Sequence, residues 1–280
     1  MSKKICLIHA NCQGEGIIKG LYTSPNFAAQ YHIRHITNYS REPFPQDLLK
    51  NCDLFLYQYL GEEWNELSSE YVLSQLPAGA KALCIPNYFY NGYWPLWDNT
   101  PGFNYRDIYL DELLDSSLSN EEIMILYMRG RIPARHDFTK RITASLIHEQ
   151  KKESHTPIKY LTQYEKYAGS IQLFNTVNHP APVLMAFLVR SILDIFGFPH
   201  PPDVPLLKAV DFAPEFEHPI HPTVAKTFNL SFAPPEREYH VYGTPMTFAR
   251  YIGHYIECRR AEQSDFISYL CSFAPKNPFT

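Results

Sequence analysis

Two residues of this chain stand where a nucleophile and a base could be held: Cys12, in His9-Ala-Asn-Cys-Gln-Gly14, and His179, in Asn178-His179-Pro180. Cys12 separates a short apolar run, Lys4 to His9, from Gly14 to Leu21, which reads as the start of a helix with Glu15 in its first turn. A helix N-terminus offers unpaired backbone N–H groups and a partial positive charge, and both stabilise a thiolate or a developing oxyanion. Nucleophiles on such turns are lifted to a sheet edge. A lone cysteine beside a glycine turn is more often inert core. Here Asn11 and Gln13 flank it, and polar amides at such a turn suit binding better than packing. Pro180 fits the first position of a helix, which puts His179 at or beside the N-cap. The positive potential there favours neutral imidazole, the form a general base needs. The two residues together make a candidate dyad.

Around that dyad stand amides and cations. Asn87 follows directly on Lys81–Ile85 and Pro86, and its side chain could donate to an oxyanion beside backbone N–H groups near Cys12. An asparagine turn residue is the common alternative. Asn178 neighbours the histidine and could contact substrate or cap the helix. The most basic stretch, residues 129–141, carries Arg129, Arg131, Arg135, His136, Lys140 and Arg141. Such groups clamp phosphates through charge-assisted hydrogen bonds, although a solvated face is the default for a charge run. Gly14, Gly16 and Gly20 match neither GxGxxG nor GxxxxGK[ST] order, which excludes a dinucleotide fingerprint and a P-loop. The six cysteines form no CxxC pair, and the histidines of His218-Pro-Ile-His221-Pro each precede a proline, so a rigid loop is favoured over a metal site.

The elements that must position these residues alternate. Lys4–His9, Tyr31–Thr37, Asp53–Tyr59 and Lys81–Ile85 read as strands, and Ser68–Leu76, Ser119–Tyr127 and Thr139–Glu153 as helices. Ile171–Thr176 is strand-like, a long helix is expected from about Ala181 to Phe196, and another from Pro245 to Cys258 that could run on to Leu270. This alternation predicts a mostly parallel sheet in one α/β domain over 1–280, with a core at about 4–197 and a Pro-rich connector with helices at about 198–280. Residues 86–107, dense in Asn, Gly, Pro, Tyr and Trp, form a long loop at the sheet edge where ligands bind in open α/β folds. Its rings are candidates to stack on adenine or sugar. A net charge of −4 excludes a nucleic-acid-binding profile. No apolar run approaches the roughly 18 residues of a membrane span, and no signal-peptide core precedes Cys12. With scattered free thiols, the expectation is a soluble cytoplasmic protein.

Asn-Cys-Gln at the end of the first strand, the Asn91-Gly-Tyr-Trp-Pro95 loop and the Phe174-Asn-Thr-Val-Asn-His-Pro180 run, taken in order, resemble the WcbI-type polysaccharide-biosynthesis enzymes over roughly residues 4–197. That family is associated with acetyl transfer in bacterial capsule synthesis and with coenzyme A, and is similar in fold to SGNH/GDSL hydrolases. The resemblance implies a three-layer SGNH-like fold, a central sheet flanked by helices, with a C-terminal helical extension. It implies an acyltransferase moving acetyl from acetyl-coenzyme A to a saccharide hydroxyl, with Cys12 at the SGNH nucleophile position, His179 at that of the catalytic histidine and Asn87 at that of the oxyanion asparagine. Arg129, Arg131, Arg135 and His136 would then hold the coenzyme phosphates. An SGNH-like esterase or deacylase using Cys12 and His179, and a non-catalytic carbohydrate- or nucleotide-binding protein, are the alternatives. Two departures stand out: Thr176 occupies the position of the aspartate expected three residues before the histidine, and His9 stands where a glycine is usual.

Overall fold

The computed structural model describes residues 3–129, 132 and 136–275. The chain folds as two compact units interleaved in sequence: Met1–Phe89, His148–Lys166 and His179–Phe212 in one, Tyr90–Ile147, Tyr167–Asn178 and Ala213–Thr280 in the other. The division does not fall near residue 197. The segment through Phe212 stays with the first unit, and most of the aromatic loop goes to the second.

The first unit holds a four-stranded parallel sheet in the order β2-β1-β3-β4, with β1 Lys4–Ala10, β2 Tyr31–Thr37, β3 Leu54–Gln58 and β4 Lys81–Ile85. All four were expected as strands from sequence; three are short apolar runs, and the edge strand β2 alternates, with His32 and Arg34 exposed. Such runs can form parallel strands because both sheet faces are covered. Leu7 and Phe55 are register partners and pack with Leu49 and Val72 from the short helices Gln46–Lys50 and Ser69–Ser74. The alternate residues Cys6, Ile8, Leu54 and Leu56 point to the opposite face and are fully buried too. The helix Gln13–Tyr22 packs on β1 and β2 and against the helices Pro182–Phe196 and Asp203–Val210. Glycines allow that approach: a β-carbon at Gly20 would lie 2.6 Å from Val189 Cγ2, and one at Gly16 would lie 2.9 Å from both Met185 Cε and Phe212 Cδ1.

The second unit is rich in buried rings. Tyr127, Tyr251, Tyr255 and Phe266 are essentially inaccessible, and Tyr127 Oη donates to the half-buried Asp107 carboxyl group at 2.6 Å. Burial lifts the Asp107 carboxyl to about 7, against the pull of the Tyr127 hydroxyl. His218 stacks on Trp94 at 5.1 Å, and His221 Nδ1 accepts from the Thr223 N–H, so the two histidines are packing and capping groups. The helix expected from Pro245 instead begins at Phe248, because Tyr242 and Gly243, both at positive φ, close a hairpin between Glu238–Val241 and Thr244–Thr247. It does not run on to Leu270: it ends at Arg260, and a separate helix spans Phe266–Cys271. Among the described residues no helix is long and apolar enough to cross a membrane.

Candidate functional site

Cys12 is the N-cap of the Gln13–Tyr22 helix, directly after β1, as expected from sequence. The strand order changes direction beside β1, with β2 on one side and β3 on the other. The carboxyl ends at such a switch point are where open α/β sheets bind ligands.

A network of side-chain amides fixes the turn. The Asn11 N–H donates to Gln58 Oε1 at 2.8 Å, and Asn38 Nδ2 donates to the same oxygen at 3.3 Å. Gln58 Nε2 faces three acceptors: Gln13 Oε1 and Pro86 O, both at 3.2 Å, and Asn11 Oδ1 at 3.4 Å. The Gln13 side chain bonds the backbone of Tyr88 twice, through Nε2 to its carbonyl at 2.8 Å and from its N–H at 3.1 Å. A glutamine side chain thus stands in for strand pairing between the ends of β1 and β4, which are not sheet neighbours. Asn11 Nδ2 donates to Asn87 Oδ1 at 3.2 Å. Gln13 and Gln58 are both fully buried. Buried amides are tolerated only when paired, and this set is.

The expected residues Asn11, Cys12, Gln13 and Asn87 are therefore brought to one place. Because Asn87 Oδ1 is used by Asn11, its Nδ2 is the group left to donate; it has no hydrogen-bond partner among the described residues. The Gln13 N–H already donates to Asn11 Oδ1 at 3.0 Å. Burial pushes the Cys12 thiol above its ordinary value; the N–H groups of Cys12 and Gln13 oppose this, and the Glu15 carboxylate adds to it. The expected thiolate at the helix terminus is thus not the resting form, because desolvation outweighs the backbone donors. Alkylation of Cys12 by iodoacetamide should accordingly be slow at pH 7 and accelerate about tenfold per pH unit up to pH 9. Peptide mapping by mass spectrometry separates it from the exposed Cys271. A rate already flat from pH 7 would show a resting thiolate.

His179 differs from expectation in its backbone. The helix begins at Pro182, with Ala181 as N-cap, so His179 lies three residues ahead of it in an extended segment. The reason is the second proline. Pro182 forces Ala181 out of helical geometry, to φ −69° and ψ 161°, and Pro180 cannot then open the helix. The helix-terminus argument for His179 therefore lapses. Its ring meets Phe212 edge-on at 5.7 Å, and Phe212 also touches Gly16, one turn after Cys12. A shared neighbour thus links the histidine to the first turn of the helix. Thr176, where an aspartate was expected, is buried and donates to Asn178 Oδ1 at 3.0 Å.

Of the basic stretch, Arg131 and Arg135 lie outside the described residues. Arg129 is exposed at the end of the Asn120–Met128 helix. His136 is buried, with Nε2 at 3.0 Å from Glu112 Oε2. Most aromatic-loop rings expected to stack on a ligand are core instead: Tyr88, Tyr93 and Trp94 are each at most 5% exposed.

Three site residues escaped the sequence reading. Gln58 ends the aromatic run Leu54–Gln58, and that misplaced amide was its visible trace. Asn38 follows β2. His35 lies over the turn: its Nε2 is 3.2 Å from the Ala10 carbonyl, which only accepts, so that nitrogen carries the proton. A β-carbon on Gly14 would fall 2.3 Å from the same nitrogen, and Gly14 is the space that admits this ring. His9, buried against Phe44 and held neutral by burial at about 4, is packing.

The profile of the family described as polysaccharide biosynthesis enzyme WcbI matches residues 5–201. No curated protein matches. One solved structure, described as native WcbI, a novel polysaccharide biosynthesis enzyme, without a disulfide bond between coenzyme A and a cysteine, is 17% identical. It superposes with a TM-score of 0.73 over 97% of this chain and 94% of its own, so the two share a fold. With the match covering well over half its length, this chain belongs to the WcbI family of polysaccharide biosynthesis enzymes.

Proposed function

We propose that the protein is an acyltransferase that moves acetyl from acetyl-coenzyme A to a saccharide hydroxyl, working at the SGNH-like turn around Cys12. The observation that carries this reading is the amide network. It leaves the Asn87 side-chain N–H₂ as an uncommitted donor beside a cysteine turn at the switch point of a parallel sheet. A donor held in place before reaction, where charge develops, is the main electrostatic requirement of acyl transfer. The solved relative with which this chain shares its fold, whose description names coenzyme A together with a cysteine, supports the choice of donor.

In this mechanism His179 takes the proton of the acceptor hydroxyl as its oxygen attacks the thioester carbonyl. Asn87 Nδ2 donates to the oxyanion that forms. Collapse breaks the carbon–sulfur bond, the coenzyme leaves as a thiol with the proton carried by His179, and the new ester remains on the sugar. Cys12 is assigned as a contact for the coenzyme rather than as the attacking group, because direct transfer needs only the base and the oxyanion donor. His136, committed to Glu112, is set apart from the phosphate-binding role expected of the basic stretch.

Calorimetric titration of coenzyme A and acetyl-coenzyme A tests the donor. Saturable binding by the wild type is expected, with affinity for acetyl-coenzyme A within about tenfold of that for the free thiol. The absence of binding to either would remove the coenzyme from the proposal. Release of a chromogenic acyl group with no acceptor present would favour the hydrolase instead.

A further inference from the structure

Asn87 also lines a cleft of about 590 Å³ in the first unit. That volume lies inside the roughly 300–1,000 Å³ range of small-ligand sites. Its walls come from the ends of β3 and β4 and from the last turns of the helix Phe138–Glu153 with the residues that follow. Tyr59 and His155 stack there at 3.6 Å between centroids and 6° between planes. Both rings are exposed, and because each covers one face of the other, the pair offers its outer faces and edges to a ligand. Around the pair stand Glu62 and Glu63 as acceptors and Asn87 and Lys152 as donors.

The charge balance decides between ligand classes. The Lys152 ammonium is 2.6 Å from the carboxylate of Glu149, which is fully buried and also accepts from Tyr160 Oη at 3.1 Å. That cation is already paired, and two further carboxylates line the cleft. An anionic ligand would find no free cation among these groups. A neutral polyol would find acceptors, donors and a ring platform for its C–H faces, as a binding site of mixed polarity requires. A second cleft of about 430 Å³, which includes Arg41 and Tyr71, shares Glu63 and Trp64 with the first.

We propose that the Tyr59–His155 cleft is the acceptor subsite and that it takes an uncharged saccharide, with the hydroxyl to be acylated at the Asn87 end. The inference rests on the acyl-transfer reading above for the acceptor's role, but not for the binding itself. Saturation-transfer NMR on the full chain, with sucrose, lactose, maltose and cellobiose as probes and glucose 1-phosphate and glucuronate as charged controls, tests it. Transfer to ring protons of at least one neutral disaccharide is expected. It should fall at least fivefold in Tyr59→Ala and in His155→Ala, both solvent-exposed changes, while their affinity for coenzyme A stays at the wild-type value. Binding by the charged controls alone, binding by none of the probes, or neutral binding that survives both substitutions would each overturn the subsite. Loss of sugar binding in the variants of a protein that never binds coenzyme A would uphold the subsite and sink the acyl-transfer reading instead.

Discussion

Gln58→Glu is expected to destabilise the protein by about 3–5 kcal/mol at neutral pH, the cost of a buried charge without a partner. The substitution keeps the shape and the oxygen that accepts from the Asn11 N–H, but it turns a donor into a second oxygen facing Asn11 Oδ1, Gln13 Oε1 and Pro86 O. Only a protonated carboxyl can restore one of those bonds. The folded protein therefore holds this carboxyl above its unfolded value of about 4.3. Below that pH the group is protonated in both states and the penalty is absent. As pH rises past it, the unfolded chain releases the proton first, and the penalty grows by about 1.4 kcal/mol per pH unit until the folded form ionises too. Urea melts of wild type and variant should thus diverge between pH 5 and pH 8. Gln58→Leu removes the same donor without adding charge, and its deficit should not change with pH. A Gln58→Glu deficit that is equally flat would mean that the three oxygens do not confront the introduced carboxyl.

The second large effect concerns chemistry. His179→Ala should lower acetyl transfer by about 10²–10⁴-fold, the usual contribution of a positioned general base. Cys12→Ala should cost about tenfold or less, because in the direct mechanism the thiol contacts the coenzyme without forming a bond to acetyl. The contrast between the two variants is the informative quantity, measured as kcat on saturating acetyl-coenzyme A with calorimetric affinity as the control for binding. If Cys12→Ala falls as far as His179→Ala, an acyl-cysteine intermediate replaces direct transfer, and His179 would then serve the thiol first. If His179→Ala is nearly as active as wild type, the base lies elsewhere.

How far the sequence carried these conclusions follows from the range of the interactions involved. Three strands of the sheet were legible because each is a local apolar run closed by a turn or a proline, while the edge strand Tyr31–Thr37 showed itself by alternation, with His32 and Arg34 exposed between buried Tyr31 and Ile33. Cys12, Asn11 and Gln13 were legible because polar residues interrupt the pattern at a strand end. Gln58 was not, since its meaning lies in partners 47, 45 and 28 positions away. The long helix, expected from about Ala181, starts one residue later at Pro182, because two prolines compete for its first position and only the second leaves its predecessor a conformation it can hold. The aromatic loop is a different case. Ring-rich composition does not tell a binding surface from a core, and the exposed stacked pair, Tyr59 and His155, comes from segments that look unremarkable in sequence.

The amide network also fixes where the molecule can move. Ligand-binding segments are usually drawn from the least stable parts of a protein, where local opening is cheap. Here the turn that carries Cys12 is bonded through side chains to residues at the ends of all four strands, and the Asn11 N–H is closed by a fully buried glutamine. Freeing that turn means parting the sheet itself, so its opening free energy approaches that of global unfolding. Whatever breathing admits a substrate must come from the walls of the site, the exposed segments bearing Tyr59 and His155 above all, while the floor under the reacting atoms keeps still.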